Sequence, residues 1–142
     1  MKFRRLPSLA PVAALGIGAS FLIPRAPISQ TAEPEGDAIV AVTPLETLSD
    51  REQLGQQAFN AVCAECHGAN AAGREGFGPP LIHRIYEPSH HGDMAFLMAV
   101  AQGVRAHHWP FGDMPPQPHV TRGDVVAIVT YVRALQRANG IE

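Results

Sequence analysis

The stretch Cys63-Ala64-Glu65-Cys66-His67 concentrates the chemistry of this sequence. The chain holds 2 cysteines, and both fall here, with a histidine directly after the second. Two thiols at this separation can each add across one vinyl group of a haem, because one turn of chain spans both vinyls. The adjacent imidazole then lies under the iron and can ligate it. Three other chemistries use a C-x-x-C pair. A dithiol redox centre needs a thioredoxin-like βαβ setting, and no such pattern surrounds these residues. A zinc site needs two more ligands at recognisable spacing, which no histidine pair supplies. A structural disulfide suits an exported chain but leaves His67 without a role. Haem attachment is the reading that employs all three side chains.

A haem iron held on one face by His67 needs a sixth ligand to be low-spin. A methionine thioether is the soft, neutral choice that raises the potential. Met94 and Met98 stand at i and i+4 on an expected helix and read as core filler. Met114 sits in Phe111-Gly112-Asp113-Met114-Pro115-Pro116, where glycine permits a close approach and two prolines stiffen the exit. It is the expected ligand, with a histidine as its rival. His107-His108-Trp109 lies just before this loop, so Trp109 or Arg105 is placed to reach a haem propionate through its indole N–H or guanidinium. The other histidines, His83, His90-His91, His107-His108 and His119, read as surface groups or hydrogen-bond donors at the haem flank. A copper or zinc site built from the two pairs is the alternative, opposed by the tendency of sequence neighbours to point apart.

Three helices are predicted to position these groups. Ser49 with Glu52 three residues on forms a capping box, after which Leu54, Ala58, Phe59 and Val62 recur near helical spacing. A second helix spans about Asp93 to Gln102, with Met94, Leu97, Met98 and Ala101 on one face and Gly103 as its stop. The third follows Thr121 and Asp124, with Val125, Ile128, Val129, Val132 and Leu135 as its apolar stripe and Gly140 near its end. Gly76 to Pro80 and Trp109 to Pro118 must be loops. No period-2 strand is visible, so the expected class is all-α.

With these elements in place the sequence resembles the monohaem bacterial class I cytochrome c domain over about residues 50–138. Cys63, Cys66 and His67 match that family's haem motif, and Met114-Pro115 matches its methionine loop. Gly78-Pro79-Pro80-Leu81 resembles its Gly-Pro-x-Leu, which implies that the Pro79 carbonyl accepts a hydrogen bond from the axial histidine and fixes its tautomer. Gly55 with Phe59, and Tyr131, match the residues at which the first and last helices cross. The resemblance implies a small helical fold wrapped around one covalently attached haem c, with His67 and Met114 as axial ligands. Lys2 is the only lysine, so the lysine ring of mitochondrial relatives is absent.

Three segments are expected along the chain. Over residues 1–26, Lys2, Arg4 and Arg5 precede the uncharged stretch Leu6 to Ile23, the order of an export signal or a retained membrane anchor. Either places the remainder outside the cytoplasm, in the periplasm. Residues 27–48 read as an acidic, proline-containing linker in which Ala38 to Val42 is an apolar run suited to docking. Residues 49–142 form the haem domain. Beyond residue 26 the chain carries 7 basic and 13 acidic side chains. This balance excludes a nucleic-acid binder, whose affinity comes from basic contacts to phosphate. It suits a carrier steered toward a redox partner with a basic face, such as an oxidase, a dehydrogenase or a reaction centre. The function expected is electron transfer without substrate turnover. Alternatives are the haem subunit of a larger dehydrogenase or oxidase complex and, less favoured, a haem sensor or peroxidase-like enzyme with an open iron site.

Overall fold

The computed structural model describes residues 36–142. The leader expected over residues 1–26, and the linker as far as residue 35, lie outside the described residues. Four α-helices follow: α1 (Asp50–Ala58), α2 (Ala64–His67), α3 (Asp93–Gln102) and α4 (Arg122–Ala138). A π-helical segment, Phe59–Cys63, joins α1 to α2 without a break, and single 3-10 turns stand at Ala69–Ala71 and Arg84–Tyr86. The fold is all-α, and among the described residues β pairing is confined to two isolated bridges, Arg74 with Gly78 and Val104 with Met114.

Both capping boxes form. The Ser49 hydroxyl accepts from the Glu52 amide at 3.4 Å, while Glu52 Oε2 accepts from the Ser49 amide at 2.7 Å. Thr121 and Asp124 do the same for α4 at 3.2 and 3.0 Å. Each box supplies partners for amides that the first turn of a helix leaves orphaned. Both carboxyls are held below their usual range, chiefly by these hydrogen bonds.

The core lies between α4 and the chain that follows α2. The expected stripe of α4, Val125, Ile128, Val129, Val132 and Leu135, is buried throughout. Helix α1 crosses it at Gly55, where a Cβ would stand 2.0 Å from the Ala127 carbonyl oxygen. One turn on, the Phe59 and Tyr131 rings pack with centroids 5.9 Å apart, and both are buried.

Two expectations about burial need correction. Leu54 is 61% exposed, because the face of α1 turned to α4 centres on Gly55 and Phe59 and Leu54 lies about 100° round the helix from it. Met94 and Met98, read as core filler, are 58% and 45% exposed. Helix α3 is apolar almost all round, so periodicity could not choose its inner face, which is formed by Phe96, Ala99 and Val100, with Met98 also lining the cavity beside His67. Residues 36–48, the described part of the expected linker, run across the domain, and the apolar run Ala38 to Val42 docks on it as its composition suggests. The amides of Ile39 and Val40 share the Ala72 carbonyl at 3.2 and 3.0 Å, and Val40, Val42, Leu45 and Leu48 pack on the core. Thr43 and Asn139 exchange two hydrogen bonds of 2.8 and 3.0 Å, fastening this strap to the end of α4.

A buried polar knot ties the loop before α3 to α4. Arg133 donates to Asp93 at 2.9 Å, to the Tyr86 carbonyl at 2.7 Å, to Gln136 at 2.6 Å and to the His91 carbonyl at 2.5 Å. Gln136 in turn donates to the carbonyls of Leu81 and Tyr86 at 2.9 and 3.0 Å. No helix of the described residues is long and apolar enough to cross a membrane.

Candidate functional site

The C-x-x-C-H residues end the first helical run, and the chain returning beneath them holds every one in place. After α2 the backbone takes left-handed φ values at Gly68 (+71°), Asn70 (+52°) and Ala71 (+58°), which fold it back on itself. The Gly73 amide donates to the His67 carbonyl at 2.8 Å, and the Arg74 guanidinium donates to the Glu65 carbonyl at 2.5 Å while stacking on Phe77. Gly78 lies so close to Cys66 that a Cβ there would come within 2.6 Å of its carbonyl oxygen. These contacts fix the backbone on which two thioether bonds must form.

His67 Nδ1 donates to the Pro79 carbonyl at 2.8 Å. Burial pushes the His67 pKa down, and this hydrogen bond partly offsets the shift. The ring is therefore a neutral imidazole with its tautomer set, and its Nε2 lone pair is left for a metal. Cys63 is half-buried and Cys66 exposed, and no disulfide joins them. Before a haem is attached, burial raises the Cys63 pKa to about 11, unlike the low-pKa thiolate of a dithiol redox catalyst.

These three residues line one wall of a cavity of about 450 Å³. Met114 lines the same cavity from the loop after α3. Its backbone amide and carbonyl both pair with Val104 at 2.9 Å, and Gly103, at φ +77°, lets the Met114 carbonyl approach within 2.5 Å of where a Cβ would stand. Asp113 accepts from the Ala106 amide at 2.8 Å, closing the neck of the loop. The thioether is thus presented by a backbone pinned on both sides.

Of the residues placed by sequence near a propionate, Trp109 lines the cavity, whereas Arg105 is exposed and is not among the lining residues. The Trp109 indole nitrogen is buried and makes no hydrogen bond of good geometry, although it lies near enough to the Tyr86 hydroxyl to ease its ionisation slightly. Burial dominates at Tyr86 and carries its pKa to about 12. An apolar cavity with two thiols, a tautomer-fixed imidazole, a thioether and one orphaned buried N–H fits a haem.

Sequence reasoning read Gly103 only as a helix stop and missed Arg74, Asp113 and the Arg133–Gln136 knot. None carries a motif signal, because each acts through a backbone carbonyl or amide that only the fold brings within reach. The two histidine pairs also depart from expectation. They converge instead of pointing apart: the His90 and His108 ring centroids are 5.5 Å apart and those of His91 and His108 5.4 Å. Desolvation and then the neighbouring His107, His91 and His90 lower the His108 pKa.

A family model described as cytochrome c matches residues 52–136, a span that runs from α1 through nearly all of α4. No curated protein matches the chain.

Proposed function

The chain belongs to the cytochrome c family, with covalently bound haem c and a part in electron transfer, and on that premise we propose that it is a monohaem carrier working in the periplasm. The observation that carries the proposal is the 2.8 Å bond from His67 Nδ1 to the Pro79 carbonyl, which aims the other ring nitrogen at the cavity between the cysteines and Met114. Bound there, the haem supplies a one-electron Fe(III)/Fe(II) couple. Cys63 and Cys66 would hold it through thioether bonds, and His67 and Met114 would ligate its iron. Pro79 keeps the His67 ring from turning, and the pinned loop from Val104 to Met114 keeps the thioether in place in both oxidation states. Trp109 donates to a propionate, and Arg105, at the exposed flank, is the second candidate for that contact.

The chain beyond residue 26 has a net charge of −6, which favours a partner with a basic docking face, of the oxidase, dehydrogenase or reaction-centre kind. Residues 6–23 serve as the export signal or as a tether to the inner membrane. A second reading, a haem subunit of a larger complex, draws support from the exposed Met94 on α3. Purification without a detergent or a partner, as a monomer active in electron exchange, would favour the free carrier.

The test is the intact mass of the purified protein together with its oxidised and reduced spectra. One haem mass added to the chain, and a near-infrared charge-transfer band that is lost in Met114→Ala, are expected. Pigment extracted by acidified acetone would overturn covalent attachment. A band unchanged by Met114→Ala would remove Met114 as ligand and turn attention to a histidine.

A further inference from the structure

At the mouth of the cavity, residues 90–91 from the turn before α3 and residues 107–108 from the segment before the methionine loop bring four imidazoles together. We propose that His90, His91 and His108 form a second metal site, for a divalent cation of the zinc and copper class, separate from the haem iron. One ring nitrogen from each of these three histidines lies within 4.8 Å of the other two. The donors come from two segments, with His108 lying 17 residues beyond His91, so the fold and not local spacing alone assembles them.

The chemistry of the set selects the ion. All three ligands are imidazole nitrogens, and no carboxylate or thiolate joins the converging group. Imidazole suits zinc and copper, while calcium and magnesium require oxygen donors. Three protein ligands also leave a fourth position for water or another donor. In a tetrahedral zinc site with bonds of about 2.05 Å, the nitrogens stand roughly 3.3 Å apart. The rings must therefore close by up to an ångström or so, which the exposed side chains of His90 and His108 can do by rotation.

One ligand is already oriented. His91 Nδ1 donates to the Ile85 carbonyl at 2.5 Å, leaving Nε2 to the metal in the same way that Pro79 prepares His67. The His91 backbone is held in turn, since its carbonyl accepts from the buried Arg133 at 2.5 Å. His107 stands beside His108, with ring centroids 4.2 Å apart, and donates its own Nδ1–H to the Arg105 carbonyl at 2.8 Å. It does not join the converging set but adds a further imidazole within reach of the open position.

A cation here would bridge the turn before α3 to the segment that leads into Met114, so its binding links to the stability of the loop that presents the thioether. The inference rests on the reading that Met114, and not His91 or His108 of the same cavity, is the sixth haem ligand.

The experiment is calorimetric titration of chelator-treated, haem-loaded protein with Zn²⁺ at pH 7.5, on wild type, H90Q, H108Q and H119Q. His119 is exposed and outside the cluster, so H119Q is the control. Removing a ligand should weaken binding at least as much as losing an orienting partner does, about 100-fold. Expected are one zinc per chain in wild type and H119Q, a loss of about that size in H90Q and H108Q, and a rise in melting temperature with Zn²⁺ that H108Q lacks. Cu²⁺ used as the probe should show nitrogen hyperfine coupling in its resonance spectrum. Absence of saturable binding, or binding unchanged in both H90Q and H108Q, would overturn the proposal. Unaltered haem spectra in all variants would separate that failure from any fault in the haem assignment.

Discussion

Gly55→Ala is the sharpest test of how the two terminal helices are joined. An ideal Cβ at residue 55 would lie 2.0 Å from the Ala127 oxygen, 2.6 Å from its carbonyl carbon and 2.9 Å from Tyr131 Cβ. The obstructing atoms are mostly backbone in the first two turns of α4, so no side-chain rotation relieves them. The helices must separate by about an ångström, loosening the Phe59–Tyr131 contact one turn away. Overpacking of this kind costs up to about 3 kcal/mol. Alanine returns up to about 1 kcal/mol through its better helix propensity. The net loss is about 2 kcal/mol, or roughly 10 °C in melting temperature for a domain of this size. Gly123→Ala is the matched control: it lies in the first turn of α4, and its nearest neighbour is the Thr121 hydroxyl at 3.7 Å. That substitution should stabilise by about 0.4–1 kcal/mol. Urea unfolding of both haem-loaded variants, followed by far-UV circular dichroism, measures the difference. Midpoints for the two that coincide within about 0.5 kcal/mol would refute the close-contact account.

Three further outcomes are expected. Arg133→Met should lose about 3 kcal/mol of stability in the same assay, because it orphans the His91 carbonyl and the Gln136 side-chain oxygen and removes one of two donors to the Tyr86 carbonyl, and Arg133→Lys should not restore it, having one ammonium where a fork of donors is needed. The folded-state pKa values of Glu52 and Asp124 are lowered, so their stabilisation is complete above the unfolded values near 4 and is lost as pH falls through the folded ones; Thr121→Ala should therefore flatten the acid limb of a stability–pH curve. Trp109→Phe removes the orphaned buried N–H and should change the pH profile of the midpoint potential more than Arg105→Gln, and equal profiles in both variants would refute the propionate contact.

Much of the fold was legible because its signals are local. Ser49 with Glu52, and Thr121 with Asp124, mark helix starts by side chains that bond their own backbone, and α4 shows its buried stripe by period alone. The limits of α3 were equally plain, but its inner face was not, since a helix made of Met, Ala, Phe, Leu and Val offers no polar side to turn outward. At the site, Cys63, Cys66 and His67 were readable from spacing, and Pro79 and Met114 from resemblance. What sequence hid depends on long-range placement: the strap over Ala72, the Arg74 bond to Glu65, and the meeting of the two histidine pairs. The π-helical turn at Phe59–Cys63 also left no trace, because its residues suit an ordinary α-helix.

That turn has a consequence for how the molecule divides its labour. A helix that holds one residue too many for its pitch advances out of step by about 100°. In the rod from Asp50 to His67 the wide turn takes up that extra residue, so Cys63 and His67 keep nearly the face of Phe59, which packs on Tyr131 and lines the same cavity. Deleting a single residue from that turn would leave an ordinary α-helix with its haem residues still facing the cavity, whereas a deletion elsewhere in the rod would turn them away by about 100°.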